Sequence, residues 1–203
     1  MPLLEKVHYK DIVIYHYDEI ESTSDLIRDF DNKGTKIVLW ADTQTNGRGR
    51  KKRDWVSPLG GLWFTLSFAP KDFPQEFLPY VVRIPALAVS TVLIYYGISP
   101  SIKPPNDIYV ENKKIAGILI DTKIKNERVE RIYIGIGLNI NNTTKILPLP
   151  IRSNVITMYD LFPKDYSLKE ILFEILDGIF NGFDTLFKDK KDIDKLWNKI
   201  VIQ

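Results

Sequence analysis

The chain has no cysteine, only two histidines and a net charge of just +2 over 203 residues. Without cysteine there can be no disulfide, no thiolate nucleophile and no thiolate metal site. His8 and His16 lie near the start, away from any acidic cluster with ligand spacing, so a histidine-rich metal centre is not expected. The near-neutral balance argues against a surface that is basic throughout, the usual mark of a nucleic-acid-binding domain. The first twenty residues lack a basic start followed by a long apolar run, so no signal peptide is expected. No stretch reads as the ~20 apolar residues that span a bilayer, and the expected location is the cytoplasm. What remains is an ordinary globular composition, 44% hydrophobic and 27% charged, sized for one core.

Against that even balance one stretch stands out, Thr43 to Pro58. It gathers Arg48, Arg50, Lys51, Lys52 and Arg53 around Gly47 and Gly49, then closes with Trp55 and Ser57-Pro58. Glycine lets backbone approach a ligand closely. Arginine presents a planar, permanently charged fork to a carboxylate or phosphate. On the residues alone, an anion-wrapping loop and a solvated basic surface are both open readings.

The rest of the pattern places this loop between strands. Ile12 to Tyr17 alternates large apolar residues and reads as a strand, and the near-continuous apolar run Lys36 to Ala41 reads as a buried one. Leu62 to Ala69 is a third. A connection of about twenty residues between neighbouring strands is long, and such loops are commonly functional or mobile. Ser22, Thr23 or Ser24 can cap a short helix, or else offer hydroxyls to a polar ligand. Tyr80 to Tyr96 reads as a buried helix ended by Gly97, with Pro85 in an early turn or at a kink. Asp107 to Val110 and Ile115 to Ile120 read as a hairpin bracketed by Lys103, Asn106, Asp107, Lys113 and Lys114. Val129 to Ile140 is a strand interrupted by Gly135 and Gly137, which mark a bulge or close approach by another group. Asn141 to Pro150 reads as a turn-rich loop. Ser167 to Phe187 carries apolar residues at three-four spacing and is a core-facing helix, followed by a last helix over Ile193 to Ile200.

Three separated pieces then fall into order: Gly47-Arg48-Gly49-Arg50, Pro105-Asn106-Asp107 leading to Lys113-Lys114-Ile115-Ala116-Gly117, and Gly135-Ile136-Gly137-Leu138-Asn139. With Ser22-Thr23 upstream and Trp55-x-Ser57-Pro58 after the basic run, the chain resembles the catalytic domain of biotin protein ligase over about Glu21 to Asn139. The resemblance implies an α/β (α+β) fold, a mixed, mainly antiparallel sheet with helices packed mainly on one face, and one domain over 1–203 with its C-terminal helices in 166–203. It implies an ATP-dependent enzyme that joins biotin to AMP and passes it to a lysine of a biotin carboxyl carrier protein, with Mg²⁺ assisting and a homodimer possible. No partnership with DNA or membrane is implied. Relatives' N-terminal helix-turn-helix and C-terminal β-barrel are expected to be missing, so transcriptional repression is not expected.

The resemblance also implies roles for particular residues. Ser22, Thr23, Gln44 and Gly47 would line the ureido end of biotin, with Gly117 and Gly135 beside it. Arg48 would face the biotin carboxyl and Arg50 the adenylate phosphate, with Trp55 and Asn139 at the adenine. Asn106 and Asp107 would organise ATP, Asp107 through Mg²⁺, while Lys114, with Lys113 as a second cation, contacts carboxyl and phosphate oxygens. The family's Lys-Trp-Pro-Asn-Asp is here Lys103-Pro104-Pro105-Asn106-Asp107, so an aromatic contact is replaced by a stiff residue. Two other readings stay open. One is a lipoate or octanoate ligase or transferase of the same superfamily; the other is a non-catalytic ligand or single-stranded nucleic-acid binder that uses Trp55 for stacking.

Overall fold

A computed structural model of the protein describes residues 2–30 and 34–202. In chain order the elements are β1 (Leu3–Tyr9), β2 (Ile12–Ile20), α1 (Thr23–Leu26), β3 (Lys36–Gln44), β4 (Leu62–Phe68) and α2 (Tyr80–Tyr95). Then come β5 (Ser101–Lys103), β6 (Asp107–Val110), β7 (Lys113–Lys125), β8 (Arg128–Leu138), α3 (Leu149–Arg152), α4 (Met158–Leu161), α5 (Leu168–Lys188) and α6 (Lys190–Ile200). The strands form one sheet in the order β1-β2-β3-β4-β8-β7-β6-β5. Only β2 and β3 pair in parallel; every other neighbouring pair is antiparallel. The mixed, mainly antiparallel sheet expected from the sequence is therefore present.

Side chains alternate across a strand, so the sequence decides which face is filled. Val38 and Trp40 of β3, Leu62, Phe64 and Leu66 of β4, and Ile134, Ile136 and Leu138 of β8 join the main core. Helices α2 and α5 pack on that face, and α5 buries Ile171, Leu172, Ile175, Leu176, Ile179, Phe183 and Leu186. Each fully buried side chain of this kind contributes about 1.5–3 kcal/mol. Ser167 caps α5 by accepting a hydrogen bond from the Glu170 amide, which fixes its start. Helix α6 is clamped to α2 because Asp194 accepts from Arg83 at 2.8 Å and from Tyr80 at 2.9 Å. The intervening residues point the other way. Ile37 and Leu39 of β3 form a small second cluster with Ile27 and Tyr133. Between Trp63 and Tyr133 on that face, Thr65, Gly135 and Gly137 are small or polar, so the sheet is left as a shallow floor there.

Several features differ from the sequence reading. Strands β1 and β5 were not anticipated, and β7 continues five residues past the apolar run, because its outer half is exposed and carries lysines. The β6–β7 and β7–β8 turns, Glu111-Asn112 and Asn126-Glu127, have positive φ at both residues, the paired left-handed geometry of a two-residue turn. Helices α3 and α4 lie where loop and turn were expected or unassigned. The segment Gln75–Tyr95 is long and apolar enough to cross a membrane, against the expectation that no stretch is; 61% of its apolar window is buried within the protein as the core helix.

Candidate active site

The floor of the site is a cross-strand row. Trp63 pairs with Gly137, Gly137 with Gly117, and Gly117 with Asp107, across β4, β8, β7 and β6. The indole of Trp55 lies over the two glycines. A methyl group at Gly137 would come within 2.5 Å of Cε2 of Trp55, and one at Gly117 within 2.9 Å of Cζ3. Any side chain at either position would evict the indole. Trp63 meets its edge with ring centroids 6.3 Å apart, and the Lys114 ammonium sits 4.7 Å from its ring centre. The next row, Thr65–Gly135–Leu119, runs beside it. Together these rows floor a cleft that opens to solvent.

One end of the cleft is a chain of hydrogen bonds between uncharged groups. Gln44 donates through Nε2 to Ser57 Oγ at 2.7 Å and accepts on Oε1 from the Thr23 amide at 2.8 Å and the Thr23 hydroxyl at 3.1 Å. Thr65 donates to the Thr23 hydroxyl at 2.9 Å, and the Ser24 and Thr65 hydroxyls share a bond of 3.2 Å. Ser22 occupies the helix-cap position but makes no side-chain cap bond, contrary to the capping reading. Its hydroxyl is 2% exposed at the residue level and has no hydrogen-bond partner. A buried hydroxyl left unpaired costs about 1–3 kcal/mol.

The other end is charged. Lys114 reaches Asp107 at 2.8 Å, and Arg50 donates to the side-chain oxygen of Asn106 at 2.9 Å. Asn106 is itself fixed, donating through Nδ2 to the Ile118 carbonyl at 2.7 Å, and is buried. Arg48 pairs with Asp25 at the rim. A β-bulge explains why Lys114, and not Lys113, turns into the cleft. Ile108 pairs with Ala116 but Tyr109 with Lys114, so Ile115 is an extra residue that resets the alternation. Lys114 then shares the face of Gly117, and Lys113 stays exposed at the turn. The backbone of Lys114 is held from outside the sheet by the Asn154 carbonyl at 2.9 Å and the Ile156 amide at 3.0 Å.

The basic loop closes over this floor as a narrow hairpin. Gln44 bridges to Ser57 and Arg48 to Asp54, with the Gly49 amide bonded to the Arg53 carbonyl at 2.7 Å and the Trp55 amide to the Gly47 carbonyl at 2.8 Å. Lys51 and Lys52 turn the tip with φ of 56° and 58°. Non-glycine residues pay of order 1 kcal/mol each for that conformation. The cleft lining carries four cations, Arg48, Arg50, Arg53 and Lys114, against two carboxylates, Asp54 and Asp107. It is an anion site with a neutral hydrogen-bonding end.

Of the residues singled out from sequence, Thr23, Gln44, Arg48, Arg50, Trp55, Asn106, Asp107, Lys114, Gly117 and Gly135 converge on this one cleft. Ser22, Gly47, Lys113 and Asn139 are not among its lining residues. Gly47 borders a neighbouring hollow with Gln44, Trp55 and Ser57. Asn139 is buried beneath the β7–β8 end, where it accepts from Asn142 at 3.2 Å and its amide bonds to the Ile115 carbonyl at 3.0 Å. Pro104 is exposed in the turn before β6 and does not line the cleft. Sequence reading assigned no role to Ser57, Thr65 and Asp25, and gave Ser24 and Gly137 only as one of three possible cap or ligand hydroxyls and as a strand-interrupting glycine. Gly137 was legible as half of the Gly-x-Gly interruption, whereas Thr65 reads as one hydroxyl in an apolar strand.

An α+β domain whose open sheet face joins an anion cleft to a polar pocket matches one family model, the biotin/lipoate A/B protein ligase family, over residues 18–139. The chain belongs to that family. It is 38% identical over 142 residues to the bifunctional ligase/repressor BirA of Bacillus subtilis, covering 67% of this chain and 42% of that protein. It is 30% identical over 191 residues to biotin–protein ligase 2 of Arabidopsis thaliana, covering 92% of this chain and 51% of that protein. The chain thus spans about half or less of these curated relatives. Among solved structures, the biotin protein ligase from Aquifex aeolicus in complex with biotin and ATP superposes with a TM-score of 0.75 at 31% identity, covering 89% of this chain and 73% of that one.

Proposed function

We propose that the protein is an ATP-dependent biotin protein ligase: it condenses biotin with ATP to biotinyl-5′-AMP and transfers the biotinyl group to a lysine of a biotin carboxyl carrier protein. The observation that carries this is the pairing of a neutral donor–acceptor chain, Ser57–Gln44–Thr23–Thr65–Ser24, with the cations of the same cleft. A ureido ring offers N–H donors and a carbonyl acceptor to such a chain. The dithiolane of lipoate and the alkyl end of octanoate offer neither, and would give the remaining donor and acceptor capacity of those groups no partner. That favours biotin over the other acids of the family.

In the first step the biotin carboxylate attacks the α-phosphate and pyrophosphate leaves. Charge grows on oxygens around phosphorus, and Arg50 and Lys114 are held ready for it by Asn106 and Asp107, so little reorganisation is needed. Arg48 addresses the carboxyl, and Trp55 packs the adenine end. Holding both substrates in one cleft supplies the rest by orientation. Among the described residues no group of three or more metal-binding side chains occurs. The Mg²⁺ that accompanies ATP would be held mainly by phosphates, with Asp107 as the nearby carboxylate, and would supply charge neutralisation. In the second step the lysine amine attacks the acyl carbon and AMP leaves. No protein nucleophile is required. Incubation with ATP, biotin and a purified carrier domain should add one biotinyl group, read by intact mass; the same mixture yielding lipoylated carrier from lipoate, and nothing from biotin, would overturn the reading.

A further inference from the structure

The cleft is arranged for anions, but the second half-reaction brings a cation. At neutral pH a lysine side chain arrives as an ammonium, and it must reach an acyl carbon beside Arg48, Arg50 and Lys114. A carboxylate has to receive it. Of the four at hand, Asp107 is already held by Lys114 at 2.8 Å toward the β6 side, and Asp121, in the annex beyond Ser24, by Arg28. Asp54 rides on the basic loop beside Arg53. Asp25 is different. It sits in α1 at the rim, directly after Ser24, whose hydroxyl belongs to the polar end of the cleft. Its side chain is 48% exposed and paired with that of Arg48, itself 46% exposed. Arg48 also lines a smaller annex that continues the cleft past Ser24, Thr65 and Gly135, so it stands at the junction of the two.

Resting on the ligase reading above, we propose that Asp25 is the binding site for the acceptor amine. Before adenylation it holds Arg48. When Arg48 turns to the carboxyl and phosphate oxygens of the acyl adenylate, Asp25 is uncovered, binds the lysine ammonium and takes one of its protons. The amine lone pair then forms the C–N bond, and the acyl C–O bond breaks with its electron pair leaving on AMP. Two nitrogen protons are lost between ammonium and amide; the first passes through Asp25 to water and the second goes to AMP or to water. The arrangement orders the reaction, since the amine site opens only once the adenylate is present.

The test compares Asp25→Asn, Asp25→Glu and the unaltered protein in three assays. In Asp25→Asn, biotin-dependent exchange of pyrophosphate into ATP should fall by a smaller factor than transfer does, because only transfer brings an ammonium to the cleft. Transfer from biotinyl-AMP to a purified carrier domain should fall at least tenfold at about pH 7, with the deficit narrowing toward about pH 9 as more lysine is already neutral. Release of biotinyl hydroxamate by hydroxylamine, a small uncharged nucleophile, should fall no more than exchange does, and Asp25→Glu should recover part of the transfer. Equal losses in exchange, hydroxylamine release and transfer would mean that Asp25 merely orients Arg48, and would overturn the proposal. So would normal transfer by Asp25→Asn, or the transfer-specific loss appearing in Asp54→Asn instead. Absence of exchange in the unaltered protein would instead remove the ligase reading itself.

Discussion

Replacing Gly137 by alanine tests the geometry of the floor with one added methyl group. In β8 that methyl would project from the open face and meet the indole of Trp55, 2.5 Å from Cε2 and 2.7 Å from Cζ2. Neither contact is relieved by bending a flexible chain end, because the indole is rigid and Trp63 stands at its edge. Overpacking of this kind costs about 1–3 kcal/mol. The indole has an outlet toward solvent, since it belongs to the loop, so the expected response is displacement of Trp55 and not unfolding. Displacement forfeits the Lys114 ammonium over its ring, worth about 0.5–1 kcal/mol at a partly exposed site. The sum falls on the closed loop. Affinity for ATP should therefore drop by roughly tenfold to a few hundredfold, each 1.4 kcal/mol being a factor of ten. Calorimetric titration with ATP reads the affinity and thermal unfolding reads the fold. A variant that binds ATP as the parent does, with an unchanged unfolding midpoint, would refute the claim that the glycines exist to seat Trp55.

Three further outcomes follow from the same structure. Lys114→Ala should slow adenylate formation by two or more powers of ten, if the ammonium supplies about 3 kcal/mol to the transition state, while Lys113→Ala should change it little; single-turnover measurement of pyrophosphate release compares them. The stretch Gly47 to Arg53 should become more resistant to trypsin when biotin and ATP are added together, and equal resistance with and without them would dispose of its role as a lid. On α5, burial pushes the Glu174 carboxyl above its ordinary 4.5, partly opposed by a hydrogen bond from Tyr96. A raised carboxylate pKa means the folded state binds more protons than the unfolded chain between the two values, so stability falls as pH rises through that window. Glu174→Gln should remove this fall and gain up to about 1 kcal/mol at neutral pH, seen as a higher unfolding midpoint.

The parts of the site that were legible in sequence are those encoded by neighbours in the chain. Glycines flanking arginines, prolines ahead of Asn106-Asp107, and glycines alternating with isoleucine in β8 each announce a local backbone demand. Alternation located the inner strands for the same reason. What was not legible depends on partners far along the chain. Ser22 and Ser24 look like helix caps in sequence, and only the fold shows one hydroxyl unpaired and the other bonded to Thr65, 41 residues on. Thr65 itself is a single hydroxyl in an otherwise apolar strand. The choice between Lys113 and Lys114 rests on a bulge, set by how β6 registers with β7. Asp25 gains meaning only from Arg48 across the cleft. Edge strands β1 and β5 are short or half exposed, so their pattern carries little hydrophobic signal.

The central claim, that this cleft activates biotin as an adenylate, is tested most directly by isotope exchange between pyrophosphate and ATP. The account predicts exchange that depends on biotin and is not supported by lipoate or octanoate at equal concentration. Exchange driven by lipoate or octanoate but not by biotin would contradict the assignment of the polar end to a ureido ring, and no exchange with any of the three acids would contradict the enzyme reading altogether.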